Sequence, residues 1–487
     1  MVYVEIQAVV LAGGRGSRMT EIAGGRPKCL LPVGPYPMIF YPLQMLATHG
    51  FGDAIVVVQE SQKHEIQQAL DKIPLNIKLD FQTIPSDQDF GTADSLKHIR
   101  DKLKHDLLVV SCDTISNCNL FDLFDLFRSH DASLTALLVK GVSDGDIAVP
   151  GPKTKHDQDR DLIGIHEPSQ RLLLLSSTSD YEETLALSGH LLRNKEQMCI
   201  HTRLCDAHVY VLKKWVIDFL IRTDGFSSLK GELLPYIVKK QLSRPSVIGE
   251  HDKLTSVINA NTTVDEIYNC FTRSKLEEKV DNRTLYTDTP SKPAYNGDTI
   301  RCYATKLPSD MFGTRVNTTQ NYYAINQKII KIWPQLFNGK SPSLISPNST
   351  IKSTQITECA VGDGTLIAEK TSLKNSVLGR NCQVTEKVRI YDSVLMNGVV
   401  VEERVVLESC VVCDNVVIKS GSILKFCLIG PNFTVAVDTK SERVHLTNAD
   451  GFMEIEINFR TLHFDLFQIS TYAAITFKTN ECFQRSF

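Results

Sequence analysis

Two hydrophobic patterns divide the chain. In the first third, short unbroken apolar runs alternate with segments of helical spacing. Residues 8–11, 54–58 and 107–111 are continuous apolar runs, as expected of strands covered on both faces. Residues 78–82 and 133–139 read as further strands. Residues 38–49, 62–72, 93–104 and 120–130 place their apolar side chains three and four apart and predict helices. Such alternation predicts a parallel, doubly wound, Rossmann-like α/β sheet, with ligands bound beyond the carboxyl ends of its strands. Helices at 215–222 and 233–240 close this unit, which we place at 1–242. Residues 243–342 are mostly polar and read as a linker with closing elements, among them a strand at 300–303 and a helix at 318–333.

The second pattern has a fixed period. Val361, Leu378, Leu395, Val412 and Ile429 are each 17 residues apart. Between them, further apolar residues fall six and twelve positions after each of the first four, for example Ile367 and Leu373, or Val384 and Ile390. Three positions after each stands Gly364, Asn381, Gly398, Asn415 or Asn432, residue types that tolerate a left-handed corner. Two positions before stand only Ser and Cys: Cys359, Ser376, Ser393, Cys410 and Cys427. This predicts a triangular parallel β-helix of hexapeptide repeats over 343–440. No histidine lies between Ser343 and Lys440, so a histidine-based acyl transfer is not expected there. Residues 441–487 leave the period, and the phenylalanine-rich stretch 458–487 has no assignable structure.

Composition narrows the class. Lys and Arg number 53 against 56 Asp and Glu, giving a net charge of −3. Neither nucleic acid nor a membrane surface is favoured as a partner. No apolar run reaches transmembrane length, and the start Met1-Val2-Tyr3-Val4-Glu5 does not read as a signal peptide. The 13 cysteines are scattered, mostly in apolar runs, and read as reduced thiols of a cytosolic protein. The pair Cys410 and Cys413 lacks a second pair or a nearby histidine that would complete a metal site.

The candidate chemistry lies after the first strand. Gly13, Gly14 and Gly16 allow the backbone to fold closely against a phosphate, and Arg18 and Lys28 bring positive charge. A plain glycine turn with Lys28 in solvent is the alternative reading. The order Leu11-Ala12-Gly13-Gly14-Arg15-Gly16-Ser17-Arg18, then Pro27-Lys28-Cys29-Leu30-Leu31-Pro32, resembles the signature of the nucleotidyltransferase family of sugar-nucleotide pyrophosphorylases. Gly91-Thr92-Ala93 resembles that family's base-binding segment. Asp113, in Val110-Ser111-Cys112-Asp113, stands where the family holds Mg²⁺ on the nucleotide phosphates; otherwise it reads as a turn or capping aspartate.

The resemblance also shows departures. Asp94 and Ser95 replace the family's Gly-Ala after Gly-Thr-Ala. Tyr36-Pro37 stands where active relatives carry Lys-Pro, so the resemblance implies that a phosphate-facing cation is lost. Gly164-Ile165-His166-Glu167-Pro168 lacks the lysine of a sugar-contacting Glu-Lys-Pro. In Asp206-Ala207-His208-Val209-Tyr210, His208 replaces a glycine. The family's second metal ligand sits in Trp-x-Asp-x-Gly-Thr, and 242–302 contains nothing of that form. Removing one strong electrostatic interaction with the transition state slows a reaction roughly a hundredfold or more. With several removed, a fold without its chemistry is expected.

A nucleotidyltransferase-like domain followed by a left-handed β-helix is similar to the gamma-subunit family of the guanine-nucleotide exchange factor for translation initiation factor two. Gly91 to Leu96, Leu108 to Asp113, Asp131 to Leu134, Asp206 to Tyr210 and Leu395 to Val399 carry that likeness. It implies a non-catalytic subunit that pairs with the epsilon subunit and the other exchange-factor subunits and acts on initiation factor two in the cytosol. It implies no catalytic residue and no required cofactor. Gly13, Gly14, Gly16, Arg18, Lys28, Gly91 and Thr92 become a vestigial nucleotide site, with Asp113 a vestigial metal position and GTP or ATP with Mg²⁺ a weak ligand. An active GDP-mannose or ADP-glucose type pyrophosphorylase is the competing reading.

Overall fold

A computed structural model describes residues 5–141, 149–152, 160–178, 198–241, 266–270, 298–337 and 342–447. Most of the polar stretch 243–297 and the phenylalanine-rich 458–487 lie outside the described residues.

The first unit is built on one ten-stranded sheet. Its strands are β1 (Ile6–Leu11), β2 (Asp53–Gln59), β3 (Lys78–Ile84), β4 (Asp106–Ser111), β5 (Leu134–Lys140), β6 (Asp161–His166), β7 (Arg171–Ser177), β8 (Met198–His201), β9 (Leu204–Leu212) and β10 (Cys302–Lys306). They lie in the order β8-β6-β7-β10-β5-β9-β4-β1-β2-β3. The run β4-β1-β2-β3 is parallel, as expected. The sheet as a whole is mixed, because β9 enters antiparallel between β4 and β5, and β6, β7 and β8 pair antiparallel beyond them. Strand β10 pairs with β5 and β7 inside this sheet, so the strand expected at 300–303 runs over Cys302–Lys306 and completes the first unit.

The continuous apolar strands are explained by two cores. Ala8, Val10, Val56, Val58, Leu108 and Val110 face one, and Val9, Ile55, Val57, Leu107 and Val109 face the other. Helices α1 (Phe40–Thr48), α2 (Lys63–Asp71), α3 (Thr92–His98), α4 (Leu120–Ser129), α5 (Lys214–Arg222), α6 (Leu234–Lys240) and α7 (Thr319–Leu336) accompany the sheet. The helix expected over 93–104 ends at His98, and a tight turn at Arg100–Lys102 follows. Asn119 caps α4 by accepting from the Phe121 N–H, and Thr318 caps α7 by accepting from the Asn321 N–H.

The β-helix follows the 17-residue period. Val361 pairs with Leu378, Leu378 with Leu395, Leu395 with Val412, Val412 with Ile429, and Ile429 with Leu446, all parallel. The last pairing carries the stack past 440, to Leu446. The five corner residues foreseen as left-handed have φ between 55° and 69°. Two further corners per coil are also left-handed and carry ordinary side chains, such as Lys370, Lys387 and Arg404 on one and Asn375 and Asp392 on another. The small Ser and Cys residues bond coil to coil: the Ser393 N–H donates to Ser376 Oγ (3.2 Å) and the Cys410 N–H to Ser393 Oγ (3.1 Å). Cys410 packs in the β-helix interior, whereas Cys413 packs in the core shared with the sheet, so the two do not share one environment.

Sheet unit and β-helix are joined by α7 and by apolar contact. Ala360, Val377, Val394, Met396, Val411 and Leu428 belong to the same core as Val10 and Leu108. From α7, Tyr322 Oη donates to the Pro32 carbonyl (2.7 Å) on the sheet side, while Tyr323 Oη donates to the Asp392 carbonyl (2.8 Å) on the β-helix. Arg26 reaches Asp414 at 2.7 Å across the same junction. No helix among the described residues is long and apolar enough to cross a membrane.

Candidate functional site

Strands β1 and β4 are adjacent and parallel, so their carboxyl ends, Leu11 and Ser111, open on the same side. The glycine loop leaves the first and Asp113 follows the second. Between them lies a cleft of about 510 Å³. Gly13, Gly14, Gly16, Arg18, Lys28, Gly91, Thr92 and Asp113, separated by up to a hundred residues in sequence, all line it. Gly16 turns in the left-handed region (φ 69°), where a Cβ would lie 3.1 Å from that of Lys28, so the loop and the lysine are closely apposed. Gly14 faces open space.

Asp113 is the centre of the site, and both of its oxygens are taken. Lys28 Nζ donates to Oδ2 at 2.5 Å and Arg315 Nε to Oδ1 at 3.2 Å. The Asp113 side chain is 2% exposed. Burial alone would raise its pKa; the Arg315 charge, then Lys28, reverse this and hold the carboxyl far below the ordinary aspartate range. Arg315 comes from a short strand, Gly313–Arg315, paired antiparallel with Thr114–Ser116 just after Asp113.

Sequence reasoning missed Arg315 because it looked for a second carboxylate only within 242–302. The segment that faces Asp113 is Gly313-Thr314-Arg315-Val316-Asn317-Thr318. Set against Trp-x-Asp-x-Gly-Thr, it places a guanidinium where that pattern has its second carboxylate, and its final threonine caps α7. A Mg²⁺ ion needs oxygen ligands, commonly one or two carboxylates beside phosphates and water. Among the described residues the one cleft carboxylate is held by an ammonium and a guanidinium, and no group of three metal-ligating side chains occurs. These residues do not fit the metal that the nucleotidyltransferase fold implies.

The departures take on structural roles. Asp94, in place of glycine, accepts from Ser227 Oγ (2.6 Å) and from the Gly91 N–H (3.2 Å). The Ser227 carbonyl in turn accepts the Ala93 N–H (2.8 Å), and Thr92 Oγ1 accepts the Leu229 N–H (2.8 Å). A Cβ on Gly91 would fall 2.1 Å from the Ser227 carbonyl oxygen. The loop at 227–229 therefore takes up polar groups of the segment 91–94. Tyr36 is not at the cleft: its ring stacks on Phe40 at 4.2 Å and on Trp333 at 6.1 Å, so its exchange for a lysine removes no cation from this site. Glu167 is likewise outside the cleft lining and is bound by Lys306 and by His201 (2.8 Å).

His208 does line the cleft. It sits in a bulge of β9, between Asp206 and Tyr210, with φ 52°. A left-handed backbone is what a glycine supplies freely and an L side chain adopts at a cost of about 1–2 kcal/mol. The His208 N–H donates to Asp206 Oδ1 (2.8 Å), which holds the bulge, and Tyr210 Oη donates to Oδ2 (2.5 Å). The imidazole Nε2 is buried without a hydrogen-bond partner among the described residues. Burial first, then the Arg315 charge, keep the His208 pKa well below the usual histidine value. The folded state thus disfavours protonation, and this contribution to stability is complete above about pH 6.5 and declines as pH falls below it. His208→Asn, which tolerates the same backbone, is expected to remove up to about 1.4 kcal/mol per pH unit of acid sensitivity. Urea unfolding at about pH 7 and about pH 5 checks this; an unchanged difference between the two would contradict the assignment.

Lys230 also lines the cleft and pairs with buried Asp161 at 2.9 Å. The cleft therefore presents Arg15, Arg18, Lys28, Lys230 and Arg315 around a single carboxylate among the described residues.

Comparison with known proteins agrees with this two-part build. A nucleotidyl transferase family model matches residues 7–145, and a model described as the eIF2B subunit epsilon left-handed β-helix domain matches 345–441. Translation initiation factor eIF2B subunit gamma of Dictyostelium discoideum is 28% identical over 404 residues, covering 78% of this chain and 88% of that protein. The protein of the same name from Schizosaccharomyces pombe is 29% identical over 375 residues, 76% of this chain and 74% of its own. A mannose-1-phosphate guanylyltransferase of Mycobacterium tuberculosis is 29% identical over only 139 residues, 28% of this chain and 38% of its own. The second half is thus a left-handed β-helix.

Proposed function

This chain belongs to the family of translation initiation factor eIF2B gamma subunits, and from that premise we infer that it serves its complex by assembly and not by nucleotidyl transfer. It pairs with the epsilon subunit, contacts the other subunits, and supports exchange of GDP for GTP on initiation factor two in the cytosol. The observation that carries this reading is Asp113, whose two oxygens are bound by Lys28 and Arg315 in place of a metal. Two-ion stabilisation of reacting phosphates needs carboxylates free to hold the ions. The cleft keeps its glycine loop and cations, so GTP or ATP binds there weakly, as a ligand and not a substrate.

An active sugar-nucleotide pyrophosphorylase is the second reading, favoured by the eight residues of that family's pattern gathered in one cleft. Pyrophosphate release from GTP or ATP with mannose-1-phosphate or glucose-1-phosphate and Mg²⁺ separates the two. We expect no turnover above the protein-free background, and co-purification of the chain with the epsilon subunit. Sustained turnover would reverse the ranking.

A further inference from the structure

We propose that the cleft binds an oligophosphate chain, as carried by a nucleoside triphosphate, without a metal ion, with Arg315 and Lys28 as the fixed counter-cations. The proposal rests on the nucleotide-ligand reading above and adds what recognises the phosphates.

Three features of the cleft support it. First, the position where a divalent ion would sit is bounded by the Lys28 ammonium and the Arg315 guanidinium, both already on Asp113. An incoming Mg²⁺ would have to displace one of them and then remain beside both, which like charge opposes. Second, the same cations suit phosphate oxygens directly. A guanidinium presents several donors in a plane, and here Nε is the one that meets Asp113. The ammonium has three protons, one of which Asp113 takes. Third, His208 lines the cleft, and its Nε2 is buried without a hydrogen-bond partner among the described residues, so the cleft wall carries an unsatisfied polar group that a small turn of the ring would offer to a ligand. Gly14 leaves the adjoining loop open to a close approach.

Metal-bound and metal-free nucleotide differ in the charge they present. Mg²⁺ neutralises the phosphates that the cations of the cleft would recognise, so here it reduces the attraction. In a site built on carboxylates the order is opposite.

Isothermal titration of the full chain with GTP, ATP and inorganic tripolyphosphate, each in excess EDTA and in excess Mg²⁺, tests the idea. We expect binding in EDTA at least as tight as in Mg²⁺. Tripolyphosphate binding comparable to the nucleotides would assign recognition to the phosphates alone, and tighter nucleotide binding would add a contribution from the nucleoside; either supports the proposal. Arg315→Asp is expected to weaken metal-free binding by about tenfold or more and to make Mg²⁺ favourable, while Arg315→Lys keeps the wild-type order. Should the aspartate variant fail to fold, wild type remains decisive. Mn²⁺ resonance spectra of wild type with GTP should show no ion bound by protein. Binding of nucleotide only when Mg²⁺ is present would overturn the inference and leave the nucleotide reading intact. No binding of any probe in either buffer would take both away.

Discussion

Replacing Lys28 and Arg315 together by methionine lowers the stability of the protein by about 3–5 kcal/mol, because it leaves the Asp113 carboxylate buried with neither cation. Either single replacement costs less, since one partner remains. The effect depends on pH in a stated direction. Asp113 is held below its ordinary pKa, so its ion pairs contribute fully above about pH 4 and are lost as pH falls through the folded-state value. The double variant should therefore differ most from wild type near neutral pH and approach it in acid. Asp113→Asn added to the double variant should recover most of the loss, because no charge is then left unpaired. Denaturant titration of these variants beside wild type reads this directly. A double variant as stable as wild type would mean that the ion pairs are exposed and dispensable.

The second large effect concerns the β-helix. Leu395 is fully buried in the column between Leu378 and Val412. Leu395→Asp removes that packing and sets an unpaired charge inside the stack, at a cost of about 4 kcal/mol or more. Because each coil rests on its neighbours, the damage spreads along the stack. Met396 and Val394, adjacent in sequence, pack against the sheet unit, so the junction weakens as well. Gln383→Asp, on an exposed position of the same stack, should stay within about 0.5 kcal/mol of wild type. Melting and capture of companion subunits are the readouts. Equal behaviour of the two variants would contradict the register.

What could be read from the sequence follows from how local each constraint is. In the β-helix every coil must turn the same corners and fill the same interior, so position 361 and its successors repeat in side-chain type as well as spacing. The glycine loop and Asp113 were legible because they sit at the ends of two short apolar strands whose parallel pairing brings them together, and Lys28 because of the order Pro27-Lys28-Cys29-Leu30-Leu31-Pro32 around it. Arg315 was not: it meets Asp113 across 202 residues of chain, from a stretch whose polarity suggested a linker. Its signal was the order Arg315-Val316-Asn317-Thr318, visible only once a cation was admitted at a carboxylate position. The antiparallel strands β6, β7 and β9 were missed for a related reason. The parallel alternation of 8–139 suggested more of the same, whereas β9 is inserted between β4 and β5 from a later part of the chain. Position 36 shows the reverse case. Alignment to a pattern suggested a lost cation at the phosphates, yet the Tyr36 ring packs against Trp333 of α7 and lies away from the cleft. Asp94 and His208 stand out in the sequence as departures, and their partners explain them: one ties down the loop at 227–229, the other occupies a left-handed bulge.

A crystal structure of the protein grown with GTP and Mn²⁺ tests the central claim most directly, since Mn²⁺ can be located by its anomalous scattering. The account predicts no manganese coordinated by Asp113, with Lys28 and Arg315 still on its two oxygens. Manganese ions seated on Asp113 beneath the triphosphate of GTP, with the ion pairs opened, would contradict it.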